Sequence, residues 1–429
     1  MVSAAENETL CRVGAGTPVG NWMRTFWVPG LTSEMLPHPD CDPVRVRLLG
    51  QDLVAFRDSE GRVGVLEEAC CHRGTSLALG RVERGGIRCI FHGWKYAVDG
   101  TLLDAPNVGS ELFRGRIKAP AFPAREAGGL IWVYLGAPEN APPLPHFRFM
   151  DQEANAIETE RVVLDCNYLQ VLEGSLDSSH LGILHADLNF FQQGSETVDE
   201  FFHEQGDGGR RDTEDNAPEL ELEPTPFGFY YAATRRPADD EANDYVRITP
   251  FIQPFGVMIP PGYNIFDVPI DDQTTALTTV WENPDGRIPR EMLREATGLN
   301  APNVWVDGNL QSFAANRFLQ DRASMAESFS GIKGLFLEDA AVCLSMGPIV
   351  DRAKEHLVPA DLAIIKARRC ILDGAKRLAE HGREPPVPAD TYTSIRAFED
   401  VRPKGLDWRT MIPGARRDLV TETSGSGQA

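Results

Sequence analysis

Four side chains that commonly bind metals lie in two short pairs in the first quarter of the chain. Cys70 and His72 are separated by one residue, Cys89 and His92 by two, and 16 residues lie between the pairs. Thiolate and neutral imidazole are both good ligands for transition metals. Each pair is short enough to sit on one hairpin tip, and two tips can face a common cavity. The pattern therefore predicts a metal centre with two sulfur and two nitrogen ligands.

The make-up of each pair bears on which metal is bound. Structural zinc sites favour a close cysteine pair and a separate close histidine pair, whereas each pair here contains one of each. Mixed pairs suit a cluster in which one iron takes both thiolates and the other takes both imidazoles. We therefore favour a [2Fe–2S] cluster over zinc. Cys71 is out of register with the ligands and is interpreted as a thiol that does not bind the cluster.

A second group of polar residues lies in the segment 162–186, which is predicted to be helical. On a helix, Asn167, Gln170 and Asp177 share one face. A helix face exposed to water usually carries lysine or arginine, and this segment contains neither. We therefore expect the polar face to line an interior site.

His180 and His185 lie near the end of that segment. Five residues on a regular helix splay two side chains by about 140°. Both histidines can therefore bind one metal only if the chain bends, and Gly182 allows a bend. Two histidines and one carboxylate bind iron in non-haem Fe(II) oxygenases. The spacing indicates a candidate iron site but does not select the carboxylate.

A fold with two parts must position these residues. The chain has 429 residues, which is long for one core, so two domains are expected. Short strands are predicted over residues 43–136, followed by a proline-rich linker at 137–147. Strands are predicted again over residues 219–283, and residues 300–385 are predicted to be largely helical. Strands followed by flanking helices indicate an α+β fold.

The composition argues against several classes of partner. The formal net charge is −21, and such a surface repels nucleic-acid phosphates and anionic lipids. No apolar run approaches about 18 residues, so no membrane span is predicted, and no export signal is visible. The eight cysteines are not spread as a disulfide framework would be. We therefore expect a cytoplasmic protein whose cysteines serve metal binding or catalysis.

The two motifs together resemble those of a known enzyme family. The cysteine and histidine pairs, with the following HGWKYAVDG, resemble the Rieske [2Fe–2S] motif of Rieske non-haem iron oxygenases. The spacing of asparagine, glutamine, D-S-S-H and histidine over residues 167–185 resembles the iron-site helix of the phthalate dioxygenase-like branch. Cys71 departs from the family pattern, which usually has proline there.

The resemblance implies a fold and a division into domains. The expected fold is α+β, with a small antiparallel β Rieske domain and a helix-grip catalytic domain in which helices cover an antiparallel sheet. The expected boundaries are an N-terminal segment over 1–40 that packs on the catalytic domain, a Rieske domain over 41–145, a catalytic domain over 150–415 and a disordered tail over 416–429.

The resemblance also implies roles for individual residues. It implies that His180, His185 and Asp339 bind a mononuclear Fe(II), with Glu338 as the neighbouring alternative to Asp339. It further implies that Asp177 connects the two metal sites through hydrogen bonds to a histidine of each. The residues expected to act in catalysis are Asp177, Asn167 and Gln170. Members of this branch work as homotrimers or stacked trimers, with electrons crossing between neighbouring subunits.

The source of electrons is expected to be another protein. The sequence contains neither a flavin or nicotinamide fingerprint nor a second iron–sulfur motif. We therefore expect a separate NAD(P)H-dependent reductase, and the resemblance implies that it carries flavin and a plant-type cluster.

The resemblance implies oxidation of an aromatic carboxylic acid by O2, either by ring cis-dihydroxylation or by O-demethylation of a methoxylated acid. A carboxylate in an apolar pocket is best held by an arginine. Arg247 is the best candidate, Arg235 and Arg236 are weaker ones, and Ser178 could add a hydrogen bond. The alternative from another class is an electron-transfer protein without the mononuclear iron.

Overall fold

The structure is a computed structural model that describes residues 2–186, 215–260, 262–283, 286, 288–300, 305–306, 309–383 and 387–412. The tail over residues 416–429, which is expected to be disordered, lies outside the described residues. Among the described residues, every helix is too short or too polar to cross a membrane.

The first part of the chain is built from short antiparallel strands, as predicted for residues 43–136. One four-stranded sheet contains β2 (Val44–Leu48), β3 (Gln51–Arg57), β4 (Val63–Glu67) and β9 (Ala121–Phe122). A second contains β5 (Arg81–Glu83), β6 (Gly86–Arg88), β7 (Lys95–Tyr96) and β8 (Leu102–Asp104). A third sheet has the order β1-β11-β10 and consists of β1 (Trp27–Thr32), β10 (Ala124–Ala127) and β11 (Leu130–Tyr134).

A large sheet forms the centre of the second part, which confirms the strands predicted over residues 219–283. Its order is β13-β14-β15-β16-β17-β18-β12-β20-β19, with β21 paired to β15. Neighbouring strands are antiparallel except for β12 and β20, which are parallel. The strands are β12 (Ile157–Leu164), β13 (Glu219–Thr225), β14 (Gly228–Arg235), β15 (Asn243–Ile252), β16 (Gly256–Ile259), β17 (Tyr263–Pro269), β18 (Thr275–Glu282), β19 (Trp305–Val306), β20 (Asn309–Leu310) and β21 (Phe398–Pro403).

Helices pack against these sheets. They are α1 (Ala4–Cys11), α2 (Pro18–Met23), α3 (Glu111–Arg114), α4 (Tyr168–Leu176), α5 (Arg290–Thr297), α6 (Leu335–Ser345) and α7 (Leu362–His381). Ser3 and Glu6 form a capping box at the start of α1, and Thr17 caps α2. α2 packs closely on α7 where Gly374 faces Trp22. A Cβ atom at Gly374 would lie only 2.4 Å from the ring of Trp22, so only glycine allows this approach.

Two sequence predictions need correction. The helix predicted over residues 162–186 is shorter, because residues 157–164 alternate between buried and less buried positions as β12 and pair with β18. Residues 300–385 are only partly helical, because β19 and β20 and several short 3-10 turns precede α6. The largest helical part of this range is α7, which has 20 residues.

The two parts of the chain share one hydrophobic core. Trp22 of α2, Val46 of β2, Trp132 of β11 and Phe266 of β17 belong to the same buried cluster. The loops that carry the cysteine and histidine pairs have a smaller core of their own, which includes Tyr96. The sheets that contain β2 and β11 therefore pack onto the second part of the chain. The loops that carry the cysteine and histidine pairs are stabilised by their own core. The domain boundaries given above stay a prediction.

Buried ionic contacts attach α4 to α7. The Glu173 carboxylate accepts hydrogen bonds from Nε of Arg352 at 2.9 Å and from Nε of Arg368 at 2.6 Å. Arg352 is fully buried and Arg368 is 3 % exposed. Arg368 also donates two hydrogen bonds to Glu355, so the cations and anions form one network. Such a network is sensitive to loss of one member, because the remaining charges stay buried.

We expect Glu173→Ala to lower the free energy of unfolding by about 3–5 kcal/mol, since two buried guanidinium groups lose a carboxylate. Urea denaturation would measure this loss. The matched control is Glu380→Ala, which removes an exposed pair with Lys376 on α7 and should cost less than about 1 kcal/mol. Equal losses in the two variants would contradict the prediction.

Candidate active site

The two predicted Cys/His pairs come together at the tips of two loops. Cys70 and Cys89 are each 2 % exposed, and His72 and His92 are partly exposed. The centroids of the two imidazole rings lie 4.4 Å apart with an interplanar angle of 78°. Trp94 stacks on His72 with its ring centroid at 4.4 Å. The sulfur donors therefore lie on the inside of the tip and the nitrogen donors on the outside.

A glycine shortly after each ligand pair closes the turn of its loop. The N–H of Gly74 donates to the carbonyl of Cys70 at 2.8 Å, and the N–H of Gly93 donates to the carbonyl of Cys89 at 3.0 Å. Gly74 has φ +78° and Gly93 has φ +75°, a conformation that strongly favours glycine. The glycines within the motif are therefore required by the loop geometry.

The donor set fits a [2Fe–2S] cluster. Within the described part of the chain, the buried Nδ1 of His92 has no hydrogen-bond partner, which suits a nitrogen that binds metal. Burial raises the pKa of Cys70, so a nearby cation is needed to hold the thiolate. The Tyr96 hydroxyl lies 3.1 Å from Sγ of Cys70, where it can donate to a cluster sulfur. The exposed Cys71 also contacts this hydroxyl, at 3.2 Å.

The second site lies beyond the C-terminal end of α4. Asn167 is the N-cap of this helix and Asp177 is its C-cap, and both have extended backbone conformations. The common helix face predicted for Asn167, Gln170 and Asp177 therefore does not extend to its ends, because capping terminates the helix there. The predicted bend between His180 and His185 is confirmed by a short 3-10 turn at His180–Gly182.

Three side chains from distant segments meet beyond this turn. Oδ1 of Asp339 lies 3.6 Å from Nε2 of His180 and 3.1 Å from Nε2 of His185. The candidate ligand atoms of these three residues all lie within 4.8 Å of one another. His185 is buried, whereas His180 and Asp339 are partly exposed. This arrangement could hold one metal ion by two imidazoles and one carboxylate, with open positions towards solvent.

The structure separates Asp339 from its neighbour Glu338. Oε2 of Glu338 lies 2.8 Å from Nδ1 of His185, on the opposite side of the ring from Asp339. Of the two carboxylates, Asp339 is the one that belongs to the metal-binding group. The positions of the two acids therefore favour Asp339 as the third ligand.

The carboxylates around the two histidines shift the pKa values of the site. Burial by itself would lower the pKa of His185, but Asp339 and Glu338 outweigh it and raise this pKa to about 9. Burial opposes ionisation of Asp177, but hydrogen bonds from His180 and Ser179 hold the pKa of its carboxyl below the usual range. The pKa of Asp339 is also lowered, against its burial, by the two imidazoles. The site therefore carries an excess of negative charge, which favours a cation.

Asp177 contacts one of the two histidines. Its Oδ2 lies 3.3 Å from Nδ1 of His180, and its Oδ1 accepts hydrogen bonds from the N–H and the hydroxyl of Ser179. Asp177 is therefore held in place beside His180. Its predicted connection to a cluster histidine stays a prediction.

The amides of Asn167 and Gln170 hold neighbouring segments. Nδ2 of Asn167 donates to the carbonyls of Cys11 and Asp272, at 3.1 and 2.7 Å. Nε2 of Gln170 donates to the carbonyls of Cys343 and Gly347, both at 3.0 Å. Both residues are buried, as expected for a polar helix face that points to the interior. These contacts support a structural function, and the predicted catalytic function stays a prediction.

One face of the large sheet carries two buried arginines. Arg247 of β15 pairs with Ala233 of β14, so their side chains share one face of the sheet. Arg235 lies two residues after Ala233 on β14 and therefore points to the same face. Tyr231 shares this face, and its hydroxyl donates to the carbonyl of Leu176 at 2.7 Å, so the face lies against the end of α4. Arg247 therefore lies on the sheet face that packs against the end of α4.

Arg235 and its neighbour Arg236 have different environments. The Arg235 side chain is fully buried and donates to the backbone carbonyl and the hydroxyl of Ser178, the latter at 3.1 Å. Arg236 is exposed and forms a surface salt bridge with Glu219. Strand alternation could have separated the two, because Arg235 lies in phase with Tyr231 and Arg236 does not.

Comparisons with known proteins agree with this geometry. Residues 26–123 match the model of the Rieske [2Fe-2S] domain, and residues 133–423 match the model described as LigXa C-terminal domain like. The chain belongs to the Rieske non-haem iron oxygenases. It falls in the phthalate dioxygenase-like branch, and the enzymes of this family use a [2Fe–2S] cluster together with a mononuclear iron.

Relatives of this Rieske oxygenase include oxygenase subunits with different substrates in their names. It is 37 % identical to the phthalate 4,5-dioxygenase oxygenase subunit of Pseudomonas putida, over 95 % of this chain and 94 % of the relative. It is 35 % identical to the 3-chlorobenzoate-3,4-dioxygenase oxygenase subunit of Comamonas testosteroni, over 98 % and 100 %. It is 28 % identical to the 5,5'-dehydrodivanillate O-demethylase oxygenase subunit of a Sphingobium species, over 98 % and 89 %.

A solved structure confirms the fold. Dicamba monooxygenase bound to 3,6-dichlorosalicylic acid superposes with a TM-score of 0.56 at 15 % identity, covering 83 % of this chain and 98 % of that one. The expected α+β fold, with a small antiparallel Rieske part and a larger sheet covered by helices, is thereby confirmed.

We expect Asp339→Ala to remove the mononuclear iron and leave the two irons of the cluster, because the three-residue set loses its only anionic member. Iron and sulfide analysis of the purified variant would measure this. The matched control is Asp321→Ala, which lies on an exposed turn and should leave all the iron in place. Full iron content in Asp339→Ala would contradict the assignment.

Proposed function

We propose that this chain is the terminal oxygenase component of a multicomponent system, and that it oxidises an aromatic carboxylic acid by ring cis-dihydroxylation. The observation that carries the proposal is the presence, in one chain, of a Cys/His set suited to a [2Fe–2S] cluster and of a separate group made by His180, His185 and Asp339. The first set suits electron transfer, and the second leaves positions open for O2.

When bound, the ferrous ion supplies O2 activation with electrons delivered through the cluster. Dihydroxylation adds both oxygen atoms to the ring and consumes two electrons and two protons. The protein's own contribution is to orient the ligands and the substrate. Asp177 orients His180 through Nδ1, at 3.3 Å. The partial exposure of His180 and Asp339 leaves a side from which substrate can approach.

The substrate carboxylate is proposed to bind Arg247. This residue is 7 % exposed and lies on the sheet face that the end of α4 covers. A buried guanidinium pairs strongly with a carboxylate because few water molecules compete for it. Ser178 is proposed to add a hydrogen bond, since a hydroxyl that accepts from Arg235 can still donate its own proton.

O-demethylation of a methoxylated aromatic or biaryl acid is the alternative, and the similarity to an O-demethylase oxygenase subunit favours keeping it. An electron-transfer protein without the mononuclear iron is a weaker alternative, because His180, His185 and Asp339 are all present and converge. Purified enzyme with a generic reductase should be screened for depletion of phthalates, other aromatic acids and methoxylated biaryl acids. A diol product supports dihydroxylation, formaldehyde supports demethylation, and no depletion of any aromatic acid contradicts the proposal.

The partners follow from the same proposal. Electrons come from a separate NAD(P)H-dependent reductase with flavin and an iron–sulfur cluster, and the enzyme is a cytoplasmic homotrimer or stack of trimers. Exposed apolar side chains support assembly, because Ile90 and Phe91 lie beside the cluster ligands, while Ile183 and Val342 lie near the iron ligands. Electron transfer between neighbouring subunits would require the surface around the cluster of one subunit to contact the surface around the iron site of the next.

We expect Asp177→Asn to retain both metals and to slow electron transfer between them by at least about 100-fold, because the amide cannot supply the carboxylate charge beside His180. Stopped-flow absorbance of the reduced cluster, mixed with O2 and substrate, would measure the rate. A wild-type rate of cluster oxidation with normal product yield would exclude this function for Asp177.

We expect Arg247→Ala to raise KM for a carboxylated substrate about 30- to 700-fold, or about 2–4 kcal/mol, because it removes a buried charge partner. KM for the matching aromatic without the carboxylate should change little. Arg236→Ala is the control, since Arg236 is exposed and should leave both KM values unchanged. The same KM rise for both substrates would indicate a folding defect and not loss of carboxylate binding.

A further inference from the structure

The two candidate iron histidines have matching surroundings. Nε2 of each ring faces Oδ1 of Asp339, at 3.6 Å for His180 and 3.1 Å for His185. Nδ1 of each ring faces a different carboxylate. For His180 this is Asp177, at 3.3 Å, and for His185 it is Glu338, at 2.8 Å. Each imidazole therefore has one nitrogen towards the metal position and the other towards an acid of its own.

Glu338 is itself held in a fixed orientation. Its side chain is buried, in the first turn of α6. The Ser330 hydroxyl donates to Oε1 of Glu338, which leaves Oε2 for Nδ1 of His185. Ser330 is fixed in turn, because its Oγ accepts the N–H of Ile332 at 3.0 Å and its carbonyl accepts Nε2 of Gln320 at 2.8 Å. The contacts form a chain from the backbone, through Ser330 and Glu338, to His185.

A carboxylate next to an imidazole selects which ring nitrogen carries the proton. An ionised carboxylate can only accept, so the contact with Glu338 requires a proton on Nδ1 of His185. The lone pair of Nε2 would then be available to bind a metal ion held by His180, His185 and Asp339. The hydrogen bond also makes the imidazole a more basic ligand for a metal and fixes the orientation of the ring.

We propose that Glu338 is a positioning residue for the mononuclear iron, acting through His185 and held in place by Ser330. The two adjacent acids therefore have different functions. Asp339 is the proposed metal ligand, and Glu338 contacts Nδ1 of His185. This inference rests on the proposed iron site. It adds a second outer carboxylate beside Asp177, on the histidine that Asp177 does not contact.

The test is metal binding by protein that retains its [2Fe–2S] cluster and has lost the mononuclear iron by mild chelation. Anaerobic titration with Co(II) would report both the Kd and the ligand field of the bound ion. Glu338→Ala should weaken binding about 10- to 100-fold and shift the Co(II) absorption bands. Glu338→Gln should bind within about tenfold of wild type, because its side-chain oxygen still accepts from Nδ1. Ser330→Ala should weaken binding less than Glu338→Ala and add no effect in the Glu338→Ala background.

The controls separate failure of this inference from failure of the iron site. Glu327→Gln changes an exposed acid near Ser330 and should leave the Kd unchanged. Wild-type affinity and spectra in Glu338→Ala would overturn the proposal, as would equal losses in Glu338→Gln and Glu338→Ala. If instead Asp339→Ala bound Co(II) as wild type does, the iron site itself would be refuted. If Glu338→Ala does not fold, Ser330→Ala and Glu338→Gln decide the result.

Discussion

The hydrogen bonds of the Gln170 amide join the two segments on which the candidate iron site depends. The histidines follow α4, whereas Asp339 comes from α6, 154 residues after His185. Gln170 donates to two carbonyls at the end of α6 and accepts the N–H of Val350. A metal site tolerates displacements of only about 0.5 Å, so the two segments must be fixed rigidly to each other. Buried hydrogen bonds with defined directions achieve this better than apolar packing alone.

The same rigidity explains how two adjacent acids serve different purposes. Successive side chains on a helix diverge by about 100°, so Glu338 and Asp339 cannot approach the same atom. They instead reach opposite nitrogens of the His185 ring. With Asp177 beside His180, two imidazoles are surrounded by three carboxylates, an arrangement that is stable only with cations or protons between them. The charge of the site therefore prepares it for a metal.

The cluster ligands occupy a different kind of environment. They sit on loops closed by glycines above a small core of their own, and the outer part of the tip is apolar and exposed at Ile90 and Phe91. The tip can therefore present the imidazoles to another surface while the thiolates stay buried. The Tyr96 hydroxyl contacts both the ligand Cys70 and the neighbouring Cys71, so the thiol that departs from the family pattern shares a hydrogen-bonding group with the cluster.

Local patterns in the sequence determined the cluster-binding loops, most of the strands and the long helix α7, because ligand spacing, glycine positions and hydrophobic periodicity all act over a few residues. The same patterns predicted the wrong ends for α4. The helix begins after the N-cap Asn167 and ends at the extended C-cap Asp177. Only the tertiary structure placed Glu338 beside Nδ1 of His185, buried Arg235 beside Ser178 and gave Gln170 its contacts with the end of α6. These outcomes depend on how distant segments pack, and a side chain's direction relative to a remote partner has no counterpart in local spacing.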